Sequence, residues 1–465
     1  MINKIIPGDA LTVLKTMPSE SVNCCVTSPP YWNLRDYSVE GQLGLEKTFE
    51  EYITKLCDIF DEVKRVLRKD GTCWVNIGDS YGGFQGKNAG WPDSKTRAKV
   101  PQQLKPKQYA KCLLDIPYRF SIEMINRGWI KRNTIIWWKP NCMPASADDR
   151  FTIDFEYLFF FTKNNKTLFW TNEKTLECVD KKPLGIKGIE GKDWEWRPCP
   201  ACSDKNYFNI RTRDVMRKEK DCPQFKVSDK EKENIKNKIC PRCKGLKKVK
   251  YSFWTGHDYC FEQQFEKTGG EMTIEEYSQA LANKSRRSNN LKDFGGGRGK
   301  GWISATPPQG RNKRAVWTIS THSFPEAHFA VYPESLIETP IQAGCPRYVC
   351  KKCGKGREKI LEPSEEYKKL LGKGWTSHKH DAERGISETP DKKVSCTAEY
   401  NFIGYSDCGC NAGFESGIVL DPFMGAGTTA LVALKQRKRF IGIEIKQEYI
   451  DMSYKRIAKV QQNIF

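Results

Sequence analysis

The sequence predicts an α/β protein in which a mostly parallel sheet carries helices on both faces and is interrupted by inserts. Three observations point there. Apolar strand runs alternate with helix-spaced apolar residues through the first third, the alternation stops near Trp170, and it returns after Ser416. A strand-helix-strand rhythm near both ends of a 465-residue chain implies that the two ends complete one sheet, with the middle inserted into it.

The elements follow in order. Val22 to Thr27 is the first clear strand. Tyr52, Ile53, Leu56, Ile59, Phe60, Val63 and Leu67 fall at helical spacing between Phe49 and Leu67, Lys69-Asp70-Gly71 reads as a turn, and Thr72 to Ile77 as the next strand. Asn133 to Trp138 and Phe155 to Thr162 read as two further buried strands around a loop containing Pro140 and Pro144. From about 172 to 314 the composition turns to Lys, Asp, Glu, Gly and scattered Trp with little periodicity, so this is an inserted module. Its basic, glycine-rich end, from Lys284 to Gly301, is expected to order only on a partner. A second irregular insert runs from about Cys345 to Ser416. Ile418 to Asp421 then reads as a strand, Thr428 to Lys435 as a helix and Phe440 to Ile445 as a strand.

Charge and composition narrow the function. Lys and Arg number 77 against 57 Asp and Glu, a net +20, which makes a polyanion the expected partner, nucleic acid ahead of an anionic membrane surface. No run of eighteen apolar residues is present and Met1-Ile2-Asn3-Lys4 begins no apolar stretch, so no membrane partner and a cytoplasmic location are expected, nucleoid-associated or phage-encoded settings included. Nineteen cysteines then point to metal sites where spacing is tight rather than to disulfides. Others, such as Cys57 and Cys112, are expected to be small buried hydrophobes.

Two loops carry the chemistry. Asp421-Pro422-Phe423-Met424-Gly425-Ala426-Gly427-Thr428-Thr429 lies between a strand and a helix, where two glycines let backbone approach a ligand at the carboxyl end of a strand. Nineteen residues beyond Gly425, Glu444 ends the next strand, a place from which an acid accepts hydrogen bonds from both ribose hydroxyls of a nucleoside cofactor. No Gly-Lys-Thr phosphate loop is present, so a nucleoside without phosphates is favoured over a triphosphate. The second loop, Thr27-Ser28-Pro29-Pro30-Tyr31-Trp32, directly follows a strand. Its prolines rigidify the backbone and leave carbonyls as fixed acceptors, Ser28 adds a side-chain acceptor and Tyr31 a flat stacking surface, together a cradle for a planar amine. A rigid turn with a core aromatic is the bland alternative.

With both loops in view, the sequence resembles the amino-methylating DNA methyltransferases, whose signatures are Ser/Asp/Asn-Pro-Pro-Tyr/Phe and Asp-Pro-Phe-x-Gly-x-Gly-Thr-Thr. The catalytic motif precedes the cofactor motif here, similar to the family's permuted beta arrangement. The resemblance covers 1–170 and 315–465 and breaks off in the inserts. It implies a circularly permuted, Rossmann-like S-adenosylmethionine (SAM) methyltransferase fold with zinc-binding inserts. Its divisions would be a catalytic half at 1–171, a target-recognition region at 172–314, a core segment near the SAM methionine at 315–344, a second zinc-binding insert at 345–416 and a SAM-binding half at 417–465. Ser28, Pro29, Pro30 and Tyr31 would be catalytic. Asp421, Pro422, Phe423, Gly425, Gly427, Thr428 and Glu444 would bind SAM, joined by Asp9 of Gly8-Asp9-Ala10-Leu11 at the adenine, and by His328 and Phe329 of His328-Phe329-Ala330-Val331-Tyr332-Pro333 near the methionine end. Double-stranded DNA is the implied partner, with a cognate restriction endonuclease as a candidate companion. Ser28 leans the target towards cytosine N4, adenine N6 being the runner-up, because Ser is usual in the cytosine-N4 members.

Cys199-Pro-Ala-Cys202 and Cys240-Pro-Arg-Cys243 are two knuckles whose spacing lets thiolates grip one tetrahedral Zn²⁺. Cys350-Lys-Lys-Cys353 with Cys408-Gly-Cys410 forms a second candidate, Cys222, Cys260, His257 and Cys396 being substitutes. Both ions would be structural. Cys199 follows Pro198, yet its place in the insert suits a metal ligand better than the nucleophile of a cytosine-C5 enzyme. Trp194, Trp196, Arg286, Arg287 and Arg298 are candidate DNA contacts. Two readings compete: methylation of RNA or of a protein amide, and a non-enzymatic zinc-containing DNA-binding protein, which would leave both loops unexplained.

Overall fold

The computed structural model describes residues 1–34, 39, 41–82, 109–144, 148–181, 188–198, 246–266, 311–321, 331–365 and 400–462. The amino-terminal part runs β1 (Lys4–Pro7), α1 (Ala10–Thr16), β2 (Val22–Thr27), α2 (Phe49–Val66), β3 (Leu67–Ile77), α3 (Ile116–Asn126), β4 (Ile130–Trp138) and β5 (Phe155–Thr162). Short strands follow: β6 (Phe169–Asn172), β7 (Cys178–Val179), β8 (Trp194–Pro198), β9 (Lys248–Ser252), β10 (Trp254–His257), β11 (Phe265–Glu266) and β12 (Arg311–Asn312). The chain then returns to the core with β13 (Val316–Thr318) and α4 (Glu334–Gly344), leaves it for β14 (Val349–Cys350), β15 (Lys359–Pro363), β16 (Tyr400–Tyr405) and β17 (Phe414–Glu415), and ends with β18 (Ile418–Asp421), α5 (Thr428–Lys435), β19 (Arg439–Glu444) and α6 (Gln447–Gln462).

One eight-stranded sheet organises the core, in the order β1-β19-β18-β2-β3-β5-β4-β13. Every pairing is parallel except those of β5, which runs antiparallel to both β3 and β4. The mostly parallel sheet is therefore as expected, and the carboxyl-terminal β18 lies directly against β2. Period-two alternation sends side chains to two apolar layers. Cys73, Val75 and Ile77 of β3 and Tyr157, Phe159 and Phe161 of β5 pack in the layer that holds Leu14, Phe60 and Phe120 of α1, α2 and α3. Trp74, Leu158 and Phe160 face the layer that holds Ile337, Val432 and Ile450 of α4, α5 and α6. Trp74 and Phe160 stack at 4.0 Å across β3 and β5. Each such fully buried aromatic contributes about 2–3 kcal/mol by removal from water.

Several expectations change. Lys69-Asp70-Gly71 is not a turn: β3 begins at Leu67, and the segment bulges out between the pairs Val22↔Leu67 and Cys24↔Thr72. Gly71 is required there, because a side chain would meet the Asn23 carbonyl at 2.9 Å. Cys57 is buried as expected but Cys112 is exposed. Helices α1, α3 and α6 carried weak signals. α1 is only seven residues long, α3 starts beside Asp115 in a left-handed conformation with a proline in its first turn, and in α6 the buried side chains are few, Ile450, Ser453 and Ile457 among them. The Lys284 to Gly301 segment lies outside the described residues.

Candidate functional site

A parallel sheet gathers the loops after its strands at one end. Here the carboxyl ends of β1, β2, β3, β4, β18 and β19 converge, and because β5 is antiparallel its beginning joins them. The result is a cavity of about 300 Å³. Gly8 and Asp9, Ser28 to Tyr31, Asn76, Lys139, Glu156, Pro422 to Ala426, Thr428 and Glu444 all line it. The two loops singled out in sequence thus share one chamber, although nearly 400 residues separate Thr27 from Asp421.

A buried carboxylate ties them together. Asp421 accepts from Thr27 Oγ1 and Thr429 Oγ1, each at 2.6 Å, from the Phe423 backbone N–H at 3.0 Å and from Tyr332 Oη at 3.3 Å. Burial raises its pKa, while the hydroxyl and backbone donors oppose that rise. Asp421 does not line the cavity, so the sequence reading of it as a cofactor contact is corrected: it brackets the cofactor loop to the catalytic strand. Gly427 is corrected likewise. It has φ +81°, caps α5, and lies so close to Ser453 of α6 that a Cβ would sit 2.8 Å from that side chain.

Gly425 and Glu444 do face the chamber. A Cβ on Gly425 would meet nothing closer than the Phe423 carbonyl at 3.9 Å, so its open side is a cradle that a side chain would fill. Glu444 accepts from the Gly425 N–H at 2.7 Å and the Lys446 N–H at 2.9 Å, and burial raises its pKa against those donors. Asp9 caps α1 through Oδ1, which accepts from both the backbone N–H and the Oγ1 of Thr12. His328 and Phe329 lie outside the described residues.

In the catalytic loop, Tyr52 Oη donates to the Pro30 carbonyl at 2.8 Å. The ring of Tyr31 lies over Gly78, where a Cβ would come within 2.6 Å of it. Its hydroxyl donates to Glu156 Oε2 at 2.7 Å and reaches Asn76 Oδ1 at 3.3 Å. Burial and the neighbouring Glu156 charge push the phenol well above its ordinary pKa. Asn76 Nδ2 also donates to Glu156 Oε2, and Lys139 Nζ to Oε1. Sequence reasoning missed Asn76, Lys139 and Glu156. The signal existed: Lys139 closes the run Ile135-Ile136-Trp137-Trp138, and Glu156 interrupts Phe155 to Phe161.

A second cluster lies in the later insert. The Sγ atoms of Cys350, Cys353, Cys408 and Cys410 are all within 4.8 Å of one another. Gly354, at φ +68°, closes the first knuckle with its N–H on the Cys350 carbonyl. Burial opposes ionisation of Cys350, but the backbone N–H groups of Cys353 and Lys352 and the neighbouring thiols bring its pKa down to about 6. Cys199, Cys202, Cys240, Cys243, Cys222 and Cys396 lie outside the described residues. The substitutes His257 and Cys260 are corrected: His257 pairs with Thr171 and stacks on Phe169, and Cys260 is buried with a strongly raised pKa.

The β8–β9 ribbon presents cations beside rings: Lys248 and Lys250 lie 4.8 and 5.8 Å from the Trp196 ring, and Arg197 lies 3.4 Å from that of Tyr251. Trp194 is buried with its indole N–H on the Gly188 carbonyl, so it supports the ribbon rather than offering a surface contact. Arg286, Arg287 and Arg298 lie outside the described residues. Among the described residues no helix is long and apolar enough to cross a membrane.

Comparison with known proteins agrees with this arrangement. Residues 22–348 and 411–455 match the N6/N4 methyltransferase family model, described as DNA methylase. The chain is 47% identical over 223 residues to the type II methyltransferase M.Cfr9I of Citrobacter freundii, covering 43% of this chain and 72% of that one. It is 48% identical over 173 residues to M.XycI of Xanthomonas campestris pv. cyanopsidis, and 45% identical over 179 residues to M.SmaI of Serratia marcescens. These matches cover 36% and 37% of this chain, and they span 56% and 60% of those relatives. Two solved structures align over nearly the whole chain with TM-scores of 0.37: a DNA modification methylase of Thermus thermophilus with SAM, at 14% identity covering 98% of this chain and 95% of that one, and the cytosine-N4-specific PvuII DNA methyltransferase, at 13% covering 99% and 91%.

Proposed function

The chain belongs to the N6/N4 family of DNA methylases, and on that premise we propose that it moves a methyl group from SAM to the N4 amino group of a cytosine flipped out of duplex DNA. One observation carries this reading: Ser28 to Tyr31 and Pro422 to Ala426, with Glu444, line a single cavity.

The residues fit the cofactor. Gly425 leaves backbone open to the chamber, and Glu444 offers a carboxylate beside it for ribose hydroxyls, with Asp9 available at the adenine. SAM, when bound, supplies an electrophilic methyl group. The protein's own task is to aim a weakly nucleophilic amine at it. Ser28 Oγ and the Pro29 carbonyl accept the two amine N–H groups, since Tyr52 already engages the Pro30 carbonyl. Those bonds draw the nitrogen lone pair out of ring conjugation, while Tyr31, fixed over Gly78, stacks on the ring. The Thr27–Asp421 bond keeps the two loops at a set spacing, so orientation is inherited from the fold. Unstacking the base costs a few kcal/mol, which phosphate contacts offset; the cations of the β8–β9 ribbon suit that role. The order in the chain, catalytic β2 before cofactor β18 with the two strands adjacent in the sheet, supports a permuted methyltransferase fold. A restriction endonuclease of matching specificity is the companion we propose. Long-read sequencing of DNA from cells producing the protein tests the whole reading: N4-methylcytosine at one recurrent sequence is expected, and unmodified DNA would overturn it.

We also propose that Cys350, Cys353, Cys408 and Cys410 hold a structural Zn²⁺. Four thiols within 4.8 Å suit tetrahedral ligation, and the short β14–β17 and β15–β16 pairs have little other core. The same chemistry is proposed for Cys199, Cys202, Cys240 and Cys243 from spacing alone. Metal analysis of protein purified without added zinc is expected to give about two ions per chain. About one would leave the 350–410 cluster alone, and a value near zero would remove both.

A further inference from the structure

We infer that Lys139 reads the ring acceptors of the flipped base and that Glu156 is the positioning residue that aims Lys139 and Tyr31; this rests on the cytosine-N4 reading above. The sharing of one carboxylate carries it. Glu156 spends both oxygens on protein: Oε1 accepts from Lys139 Nζ, and Oε2 from Tyr31 Oη at 2.7 Å and Asn76 Nδ2 at 3.1 Å. It therefore joins the ring that stacks on the base to the cation beside it. All four side chains line the cavity.

Lys139 is the member with donors to spare. Its ammonium carries three N–H groups, and among the described residues its hydrogen bond goes to Glu156. It also sits 4.5 Å from the centre of the Trp137 ring, which restricts where the remaining donors point. Lysine and glutamate together are neutral, so the wall suits an uncharged heterocycle better than a phosphate or carboxylate. Beside its amine, cytosine presents N3 and then O2, two adjacent acceptors. Adenine presents N1 and then a C–H. An ammonium with two free donors matches the first edge and leaves a donor unpaired against the second, which costs affinity in a dry site.

The test uses full-length protein and a duplex carrying its mapped site, with Lys139→Met as the variant. Its kcat/KM is expected to fall about tenfold to a hundredfold, with SAM affinity unchanged, which also reports that the variant folds. The affinity ratio of intact duplex to the same duplex abasic at the target is expected to fall about tenfold, and Lys139→Arg to restore part of it. Glu156→Gln should lower kcat more than it raises KM, since it misaims groups without removing them. Wild-type kcat/KM and an unchanged ratio in Lys139→Met would overturn the inference alone. Loss of SAM binding in that variant would also overturn it, assigning Lys139 to the methionine carboxylate. N6-methyladenine as the wild-type product would overturn the base reading and this inference together.

Discussion

Ser28→Ala is expected to lower methyl transfer by about a hundredfold to a thousandfold, the loss usual for one fixed dipole at the reacting group. The serine oxygen is one of two acceptors that strip the amine of conjugation. Without it, the nitrogen keeps its lone pair in the ring and loses one of two constraints on its direction. SAM affinity should stay within about twofold, because Ser28 lies in the loop after β2 whereas the cofactor loop is braced independently by Asp421, Glu444 and Ser453. Single-turnover transfer with saturating SAM, beside calorimetry for binding, separates the two effects. Equal loss in both would make Ser28 a structural residue of the cavity.

Glu444→Ala is expected to weaken SAM binding by about a hundredfold, the sum of two hydrogen bonds from ribose hydroxyls to a charged acceptor. The substitution also strips the Gly425 and Lys446 N–H groups of their acceptor. Glu444→Gln, which keeps the shape and one acceptor oxygen, should fall between wild type and Ala. Burial raises the Glu444 pKa, so its ionised form prevails only above that raised value. SAM affinity should therefore hold at neutral and higher pH and decline on acidification from a higher pH than an exposed glutamate would give, a dependence that Glu444→Gln abolishes. Unchanged affinity in both variants would move the cofactor elsewhere.

Both loops were legible in the sequence because their chemistry is local. Consecutive prolines, a Gly-x-Gly turn and an acid at the next strand end constrain backbone over a few residues each. The sheet was legible for a related reason: β2, β5 and β18 are apolar runs bounded by turn residues. What sequence could not give was pairing. That β18 lies against β2, and that β5 runs antiparallel and so delivers Glu156 to the end where Lys139 arrives, depends on contacts between distant segments. The same limit hid the roles of Asp421 and Gly427, which fit the motif but face inward, towards Thr27 and Ser453. The bulge at Lys69-Asp70-Gly71 misled because a glycine that permits close approach to Asn23 looks, in sequence, like one that permits a turn.

The most direct measurement is transfer itself: purified protein, SAM labelled on its methyl group, and duplex DNA, followed by digestion and identification of the labelled nucleoside. Label in N4-methylcytosine, absent when Ser28 is Ala, is the expected result. DNA that stays unlabelled while SAM binds normally at Glu444 would contradict a transfer site built from both loops.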